Sequence, residues 1–310
     1  MTTESADSTE TVVVMNPQSG DENHPELVRD LAAQAGYAVV ETAYEDHAVE
    51  LAREAAADGA DEVVAVGGDG TLNEVVQGIS AADALDAVTV GVVPAGTGND
   101  FATNIGVTGI EEGFDVVANG ERRRLDLGLA EGRPFLNSCV AGITAEASRQ
   151  TSPSLKAQFG VLAYVITTIR MASTYPGVEI SATVEDETGE TTLWEGTAGI
   201  VLVGNGRRFS MEGSGQANVE DGLLDVMILE NVSSFDFARE HLAERLFDRE
   251  GESLTRFFTP SLDLRLDQDK STTFSLDGEI LDLPAVELRT RQRAIEMCVG
   301  DTYERPEDDV

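Results

Sequence analysis

Apolar positions in the first 120 residues follow two alternating patterns. Short, unbroken, mostly β-branched runs occur at TVVVM (11–15), YAVVE (37–41), DEVVAV (61–66) and TVGVV (89–93), and these read as strands. Between them, Pro25–Gln34, Asp46–Ala57 and Thr71–Ile79 carry apolar residues at helical spacing. Strands that are apolar on both faces and alternate with helices predict a doubly wound α/β domain, a parallel sheet covered on both sides.

The pattern changes after Arg122. Arg123–Leu129, Phe135–Ala141, Val178–Glu185, Trp194–Val203, Leu223–Leu229, Leu262–Leu266, Thr272–Leu276, Ala285–Arg289 and Ala294–Val299 read as strands punctuated by Gly, Asp and Asn. They predict a C-terminal β-rich domain, a mainly antiparallel sandwich. Two helical insertions interrupt it, Ser154–Ala172 and Ser233–Arg249, the second with Ser233 as N-cap. At 310 residues the chain is long enough for two cores. The expected division is a polar, disordered tail over 1–10, an α/β domain over 11–122, a β-rich domain over 123–303 and a short tail over 304–310.

Charge then narrows the setting. There are 57 acidic and 21 basic residues, a formal charge of −36, and lysine occurs only at Lys156 and Lys270. Self-repulsion of that size is tolerated where the screening length falls to about 3 Å, near 1 M salt, so the composition predicts a halophilic protein. A basic partner is the rival explanation, but it calls for a block of like charge, and Asp and Glu are spread along the whole chain. Nucleic acid is not an expected partner, because phosphate neutralisation needs a basic face. Cys139 and Cys298 read as small core residues, and His24, His47 and His241 lack metal-ligand spacing. The N-terminus has no secretory pattern, and no apolar run reaches the ~20 residues of a membrane span. A cytoplasmic location is therefore expected.

Against that background one turn stands out, Gly67-Gly68-Asp69-Gly70-Thr71-Leu72-Asn73-Glu74, between a buried strand and a helix. Glycines permit close backbone approach, and a following helix offers N–H groups and a positive dipole end, so the turn suits phosphate. A purely structural strand-to-helix turn also wants glycine. Two more polar loops follow strands of the same sheet, Asn16-Pro17-Gln18-Ser19-Gly20 and Pro94-Ala95-Gly96-Thr97-Gly98-Asn99-Asp100-Phe101. Ligands bind beyond the carboxyl ends of parallel strands, so the three loops are expected to converge on one crevice. No GxxxxGK[ST] or complete GxGxxG occurs, which excludes a Walker loop and argues against the dinucleotide fingerprint.

These motifs resemble those of the diacylglycerol kinase catalytic-domain family, which includes bacterial soluble lipid kinases, sphingosine kinases and ceramide kinases. The resemblance runs through NPQSG (16–20), GGDGTLNE (67–74), PAGTGNDFA (94–102), VGNGRRF (203–209), EDGLLD (220–225) and LDGE (276–279). It implies an ATP-dependent kinase that phosphorylates a lipid hydroxyl with Mg2+. By resemblance, Asn16, Thr42, Gly67, Gly68, Asp69, Gly70, Thr71 and Asn73 hold ATP, and Thr97 completes the phosphate pocket. Asp69 reaches magnesium or the nucleotide, as a carboxylate suits a hard cation. Asp277 matches the general base, which would face the Gly67 turn across a shared cleft; Asp-Gly between apolar runs is also a hairpin signal, and both can hold. Asn218, Asp221 and Leu223 match a structural magnesium loop, with Gly215-Gln216 departing from a common Pro and a plain Asp-Gly turn as the alternative. Residues 155–171, apolar with Lys156 and Arg170 at its ends, match the lipid entrance and suit peripheral contact at the inner membrane face; a helix packed on the β domain is the alternative. An NAD or other small-molecule kinase on the same scaffold and a catalytically silent nucleotide or lipid sensor are the rival functions. A homodimer is left open.

Overall fold

The computed structural model describes residues 10–20, 24–141, 178–185, 189–208, 215–216, 218–230, 254–266 and 272–304. The expected helices at 154–172 and 233–249, the proposed lipid-entrance segment 155–171, and the tails 1–9 and 305–310 lie outside the described residues. The remainder divides into two compact units, one drawn from Met1–Leu125 with Arg293–Glu304, the other from Asp126–Gln292.

In the first unit β1 (Thr11–Met15), β2 (Ala38–Glu41), β3 (Glu62–Gly67) and β4 (Thr89–Pro94) run parallel in the order β2-β1-β3-β4. The valines and alanines of β3 and β4, and Val13 and Val14 of β1, are buried because helices cover the sheet, whereas edge strand β2 leaves Ala38 exposed and Val39 and Val40 half-buried. The helices are α1 (Pro25–Ala35), α2 (His47–Asp58), α3 (Asp69–Ala81) and α5 (Ile110–Asn119). Val13, Met15, Val64, Val66 and Val93 pack against Val28, Ala32, Phe114 and Val117. Local chemistry sets the helix ends. Pro25 opens α1, and left-handed Gly36 closes it by donating its N–H to the Ala32 and Ala33 carbonyls. A short helix, α4 (Asp100–Asn104), follows β4 and buries Phe101. The chain moves from β1 to β2 on one side and to β3 on the other, so the topological switch point lies between β1 and β3. A fifth parallel strand comes from the end of the chain: in β17 (Ala285–Val299), Glu296 and Met297 pair with Thr89 and Val90. The single β17 replaces the two separate strands expected at 285–289 and 294–299.

The second unit is antiparallel, as the alternation of its strands predicts. β7 (Ser138–Ala141), β8 (Val178–Glu185), β9 (Thr191–Gly204), β12 (Leu224–Glu230), β13 (Leu254–Thr259), β14 (Ser261–Leu266), β15 (Thr272–Leu276) and β16 (Glu279–Leu283) form its ladders, with β9 pairing with β7, β8 and β12. β5 (Glu121–Ala130) enters it and turns into β6 (Arg133–Phe135). β10 (Arg207–Arg208) and β11 (Gly215–Gln216) make a separate short pair. Phe135, Ala182, Val203, Val226, Ile228, Leu262, Leu264, Phe274 and Leu288 form the core of this β-sandwich. Asp225 is buried on β12 and takes a bidentate pair from Arg256 on β13 at 2.8 and 2.6 Å, so a charge inside the sheet is matched by a partner on the neighbouring strand.

Candidate active site

The three polar loops of the first unit meet, as expected. Each follows the carboxyl end of β1, β3 or β4, and two flank the switch point. The Asn16 N–H donates to the Val66 carbonyl at 2.9 Å, and its side-chain amide to Thr71 Oγ1 at 3.4 Å. The Ala95 N–H donates to the Gly67 carbonyl at 2.8 Å and the Asp69 N–H to the Gly98 carbonyl at 3.1 Å. Glycine is needed here for close contact, and at Gly20 also for its left-handed φ of 60°. A Cβ on Gly96 would stand 2.4 Å from the Gly68 Cα, and one on Gly20 would stand 2.4 Å from the Ala95 carbonyl oxygen. Main chain therefore packs directly on main chain, with α3 beginning at Asp69 and its first N–H groups at the loop.

Asp69 has a clear structural task. Its two carboxylate oxygens accept the Asp100 and Phe101 N–H groups at 3.0 and 2.9 Å, capping α4 from a different loop. Thr97 is exposed between Gly96 and Gly98, Gly70 is open to solvent, and Asn73 is buried on α3 with no partner for its Oδ1 among the described residues. Thr42 follows β2, its N–H bonded to the Met15 carbonyl at 2.9 Å. Asn16, Thr42, Gly67 to Thr71, Asn73 and Thr97 thus all belong to the carboxyl-end region of one sheet. Two residues at this end carried no role in the sequence reading. Asn99 brackets Gly96 by accepting its N–H at 3.1 Å and donating to its carbonyl at 2.9 Å. His24, 5% exposed, places Nε2 3.0 Å from the Asn16 carbonyl, and its Nδ1 has no partner among the described residues.

In the second unit Asp277 and Gly278 have φ of 47° and 99° and join β15 to β16, the two-residue turn that Asp-Gly specifies. The hairpin reading of this dipeptide therefore holds. The Asp277 carboxylate is half-buried and accepts three successive main-chain N–H groups: Leu136 at 2.7 Å, Asn137 at 3.0 and 3.2 Å, and Ser138 at 2.7 Å. Arg133 and Glu279 form an ion pair beside the turn. Asn205, from the VGNGRR motif, pins the same segment by donating to the Leu136 carbonyl at 3.0 Å. Cys139 lies opposite Leu276, and burial, reinforced by the Asp277 charge, pushes its thiol up to about 12.

The 218–223 loop is held by carboxylates and a side-chain amide. Asn218 Oδ1 accepts the Glu220 N–H, Asp221 Oδ1 the Leu223 N–H, and Asp126 Oδ2 the Gly222 N–H at 2.6 Å. Asp126 went unassigned in the sequence. Its signal was a charged residue between the inward-facing Leu125 and Leu127, where it is 2% exposed. No group of three His, Cys, Asp or Glu side chains suited to a metal occurs among the described residues. A cation here would depend on Asp221 and main-chain carbonyls, an all-oxygen donor set that fits magnesium.

A doubly wound domain with glycine-rich loops at its switch point, followed by an antiparallel sandwich, defines a two-domain α/β-plus-β class. Residues 10–130 match the diacylglycerol kinase catalytic domain, and 137–297 match the YegS C-terminal NAD kinase beta sandwich-like domain. A diacylglycerol kinase of Bacillus subtilis is 32% identical over 73% of this chain and 76% of its own length. Lipid kinase YegS of Escherichia coli is 29% identical over 76% of each. Two Bacillus anthracis crystal structures cover 98% and 96% of this chain, with TM-scores of 0.77 and 0.68 at 21% and 19% identity; the second is described as a diacylglycerol kinase. The chain belongs to the diacylglycerol kinase catalytic-domain family.

Proposed function

We propose that this protein is an ATP- and magnesium-dependent lipid kinase that transfers the γ-phosphate to a lipid hydroxyl, with Asp277 as general base. The observation that carries the reading is the main-chain contact of the Gly67–Thr71 and Pro94–Phe101 loops, glycine on glycine, beside Asn16 at the switch point. Such a cradle presents N–H groups and no side-chain bulk, which suits a polyphosphate. The family's named lipid kinases support a lipid acceptor.

Phosphoryl transfer asks the protein for positioning and charge stabilisation more than for covalent chemistry. Gly67 to Thr71, Asn73 and Thr97 would hold the phosphates, and Asn16 and Thr42 the rest of the nucleotide. Bound magnesium would supply charge neutralisation at phosphate oxygens, with Asp69 the carboxylate nearest that task and Asn218, Asp221 and Leu223 forming a separate structural loop. Asp277 would orient the acceptor hydroxyl and take its proton. The three N–H donors fix its carboxylate in place, so the base is pre-positioned rather than mobile. Residues 155–171 are proposed to meet the lipid surface, and the acidic composition to suit molar salt.

The test is labelled ATP with ester- and ether-linked glycerolipids and sphingoid bases, in molar KCl with magnesium, resolved by thin-layer chromatography. Label should move to a lipid alcohol. Phosphorylation of NAD with no lipid product would establish the rival kinase instead. Asp277→Asn should reduce transfer by at least ~100-fold, the usual scale for a general base, while ADP binding stays within about twofold. A sensor would show no transfer before or after the change.

A further inference from the structure

Two residues beyond Thr42 the chain displays an ordered aromatic face. The Tyr44 ring stacks on the His47 ring with centroids 4.2 Å apart and planes 15° from parallel, yet Tyr44 remains 57% exposed. It is also fixed at its far end, where its hydroxyl donates to Glu50 Oε2 at 2.8 Å, and the hydrogen bond to this carboxylate raises the phenol's pKa. His47 is fixed in turn, because its Nδ1 accepts the Ala43 N–H at 3.0 Å. A large ring has thus been ordered without being buried, a loss of side-chain freedom with no core packing in return.

The location says what could use it. Glu41 pairs with Met15 and Met15 with Val66, so β2 ends at the same carboxyl edge as β3 and two strand spacings, about 10 Å, from it. A nucleotide with its phosphates at the turn and its base directed along this edge would reach the segment that follows β2, which carries Thr42 and Tyr44. Charge narrows the ligand further. Residues 41–50 contain Glu41, Glu45, Asp46 and Glu50 and no Lys or Arg, a setting that repels phosphate but accepts a neutral π-face.

We propose that Tyr44, backed by His47, is the platform on which the nucleotide's base stacks, a positioning residue that selects for a nucleotide over a bare polyphosphate. This rests on the reading of the first unit as an ATP site. Tyr44→Ala, Tyr44→Phe and His47→Ala would be compared with the unmodified protein by calorimetric titration with ADP and with inorganic tripolyphosphate, both with magnesium in molar KCl. Tyr44→Ala should weaken ADP about tenfold and leave tripolyphosphate unchanged, the scale expected of one base on one aromatic ring. Tyr44→Phe should stay within about twofold, and His47→Ala should fall between. Unchanged ADP affinity in Tyr44→Ala would overturn the proposal and leave the kinase reading intact. Equal weakening of both ligands would also overturn it, since the residue would then act through the phosphate loops. If the unmodified protein bound neither ligand, the kinase reading would fall and the platform with it.

Discussion

At Gly96 a single hydrogen atom decides whether two loops can meet. Gly96→Ala would drive a methyl to within 2.4 Å of the Gly68 Cα, and backbone on that side cannot rotate away as a side chain would. The expected cost is about 1–3 kcal/mol of stability, measured by denaturant titration, together with loss of ADP and tripolyphosphate binding. The thiols give a second residue-scale expectation. Burial pushes Cys139 and Cys298 up to about 12, helped by the nearby Asp277 and Glu62 charges respectively. Because the folded value is raised, the fold favours the neutral thiol. That contribution is complete below the ordinary thiol value of ~8.5 and disappears as pH climbs toward 12. Native protein at pH 8 should therefore leave both cysteines unlabelled by a disulfide reagent, whereas denatured protein should release two equivalents. Rapid native labelling would show that at least one is accessible.

Elements were legible where a residue's role is local. The β-branched runs located β1 to β4, and Asp277-Gly278 located a hairpin, because each signal lies within a few neighbouring residues. α4 was not legible. Its five residues are too few for helical periodicity, and its cap, the Asp69 carboxylate, lies 31 residues earlier in the chain at its bond to Asp100. α5 could have been read, since Ile110, Phe114 and Val117 keep helical spacing behind Gly109. The site divides in the same way: glycine loops announce themselves, whereas Asp126 and the Leu136–Ser138 amides that grip Asp277 act through partners distant in sequence. Asp69 allows a test at this scale. Asp69→Ala removes both acceptors at the start of α4 and should cost about 1 kcal/mol, with added hydrogen exchange at Asp100 and Phe101. Unchanged exchange there would mean that burial of Phe101, not the cap, holds the helix.

Across the whole molecule, charge governs how stability responds to the solvent. With 57 acidic and 21 basic residues, unfolding relieves repulsion by moving like charges apart, so the native state gains most from screening. Exposed pairs do little to offset this. Arg29–Glu41 and Arg124–Asp86 are surface bridges whose contribution is small and falls with salt. Two mechanisms could raise stability in concentrated salt, screening of the net charge and the strengthening of apolar burial by salting out. They separate by range. Screening is nearly complete once the Debye length falls to about 3 Å near 1 M, whereas salting out continues to grow with concentration. The thermal midpoint should therefore rise steeply between about 0.05 and 1 M KCl and flatten beyond, and an equimolar uncharged osmolyte should reproduce little of the early rise. A midpoint insensitive to KCl below 1 M would mean that carboxylate repulsion does not limit the fold, and the acidic surface would then call for a basic partner instead.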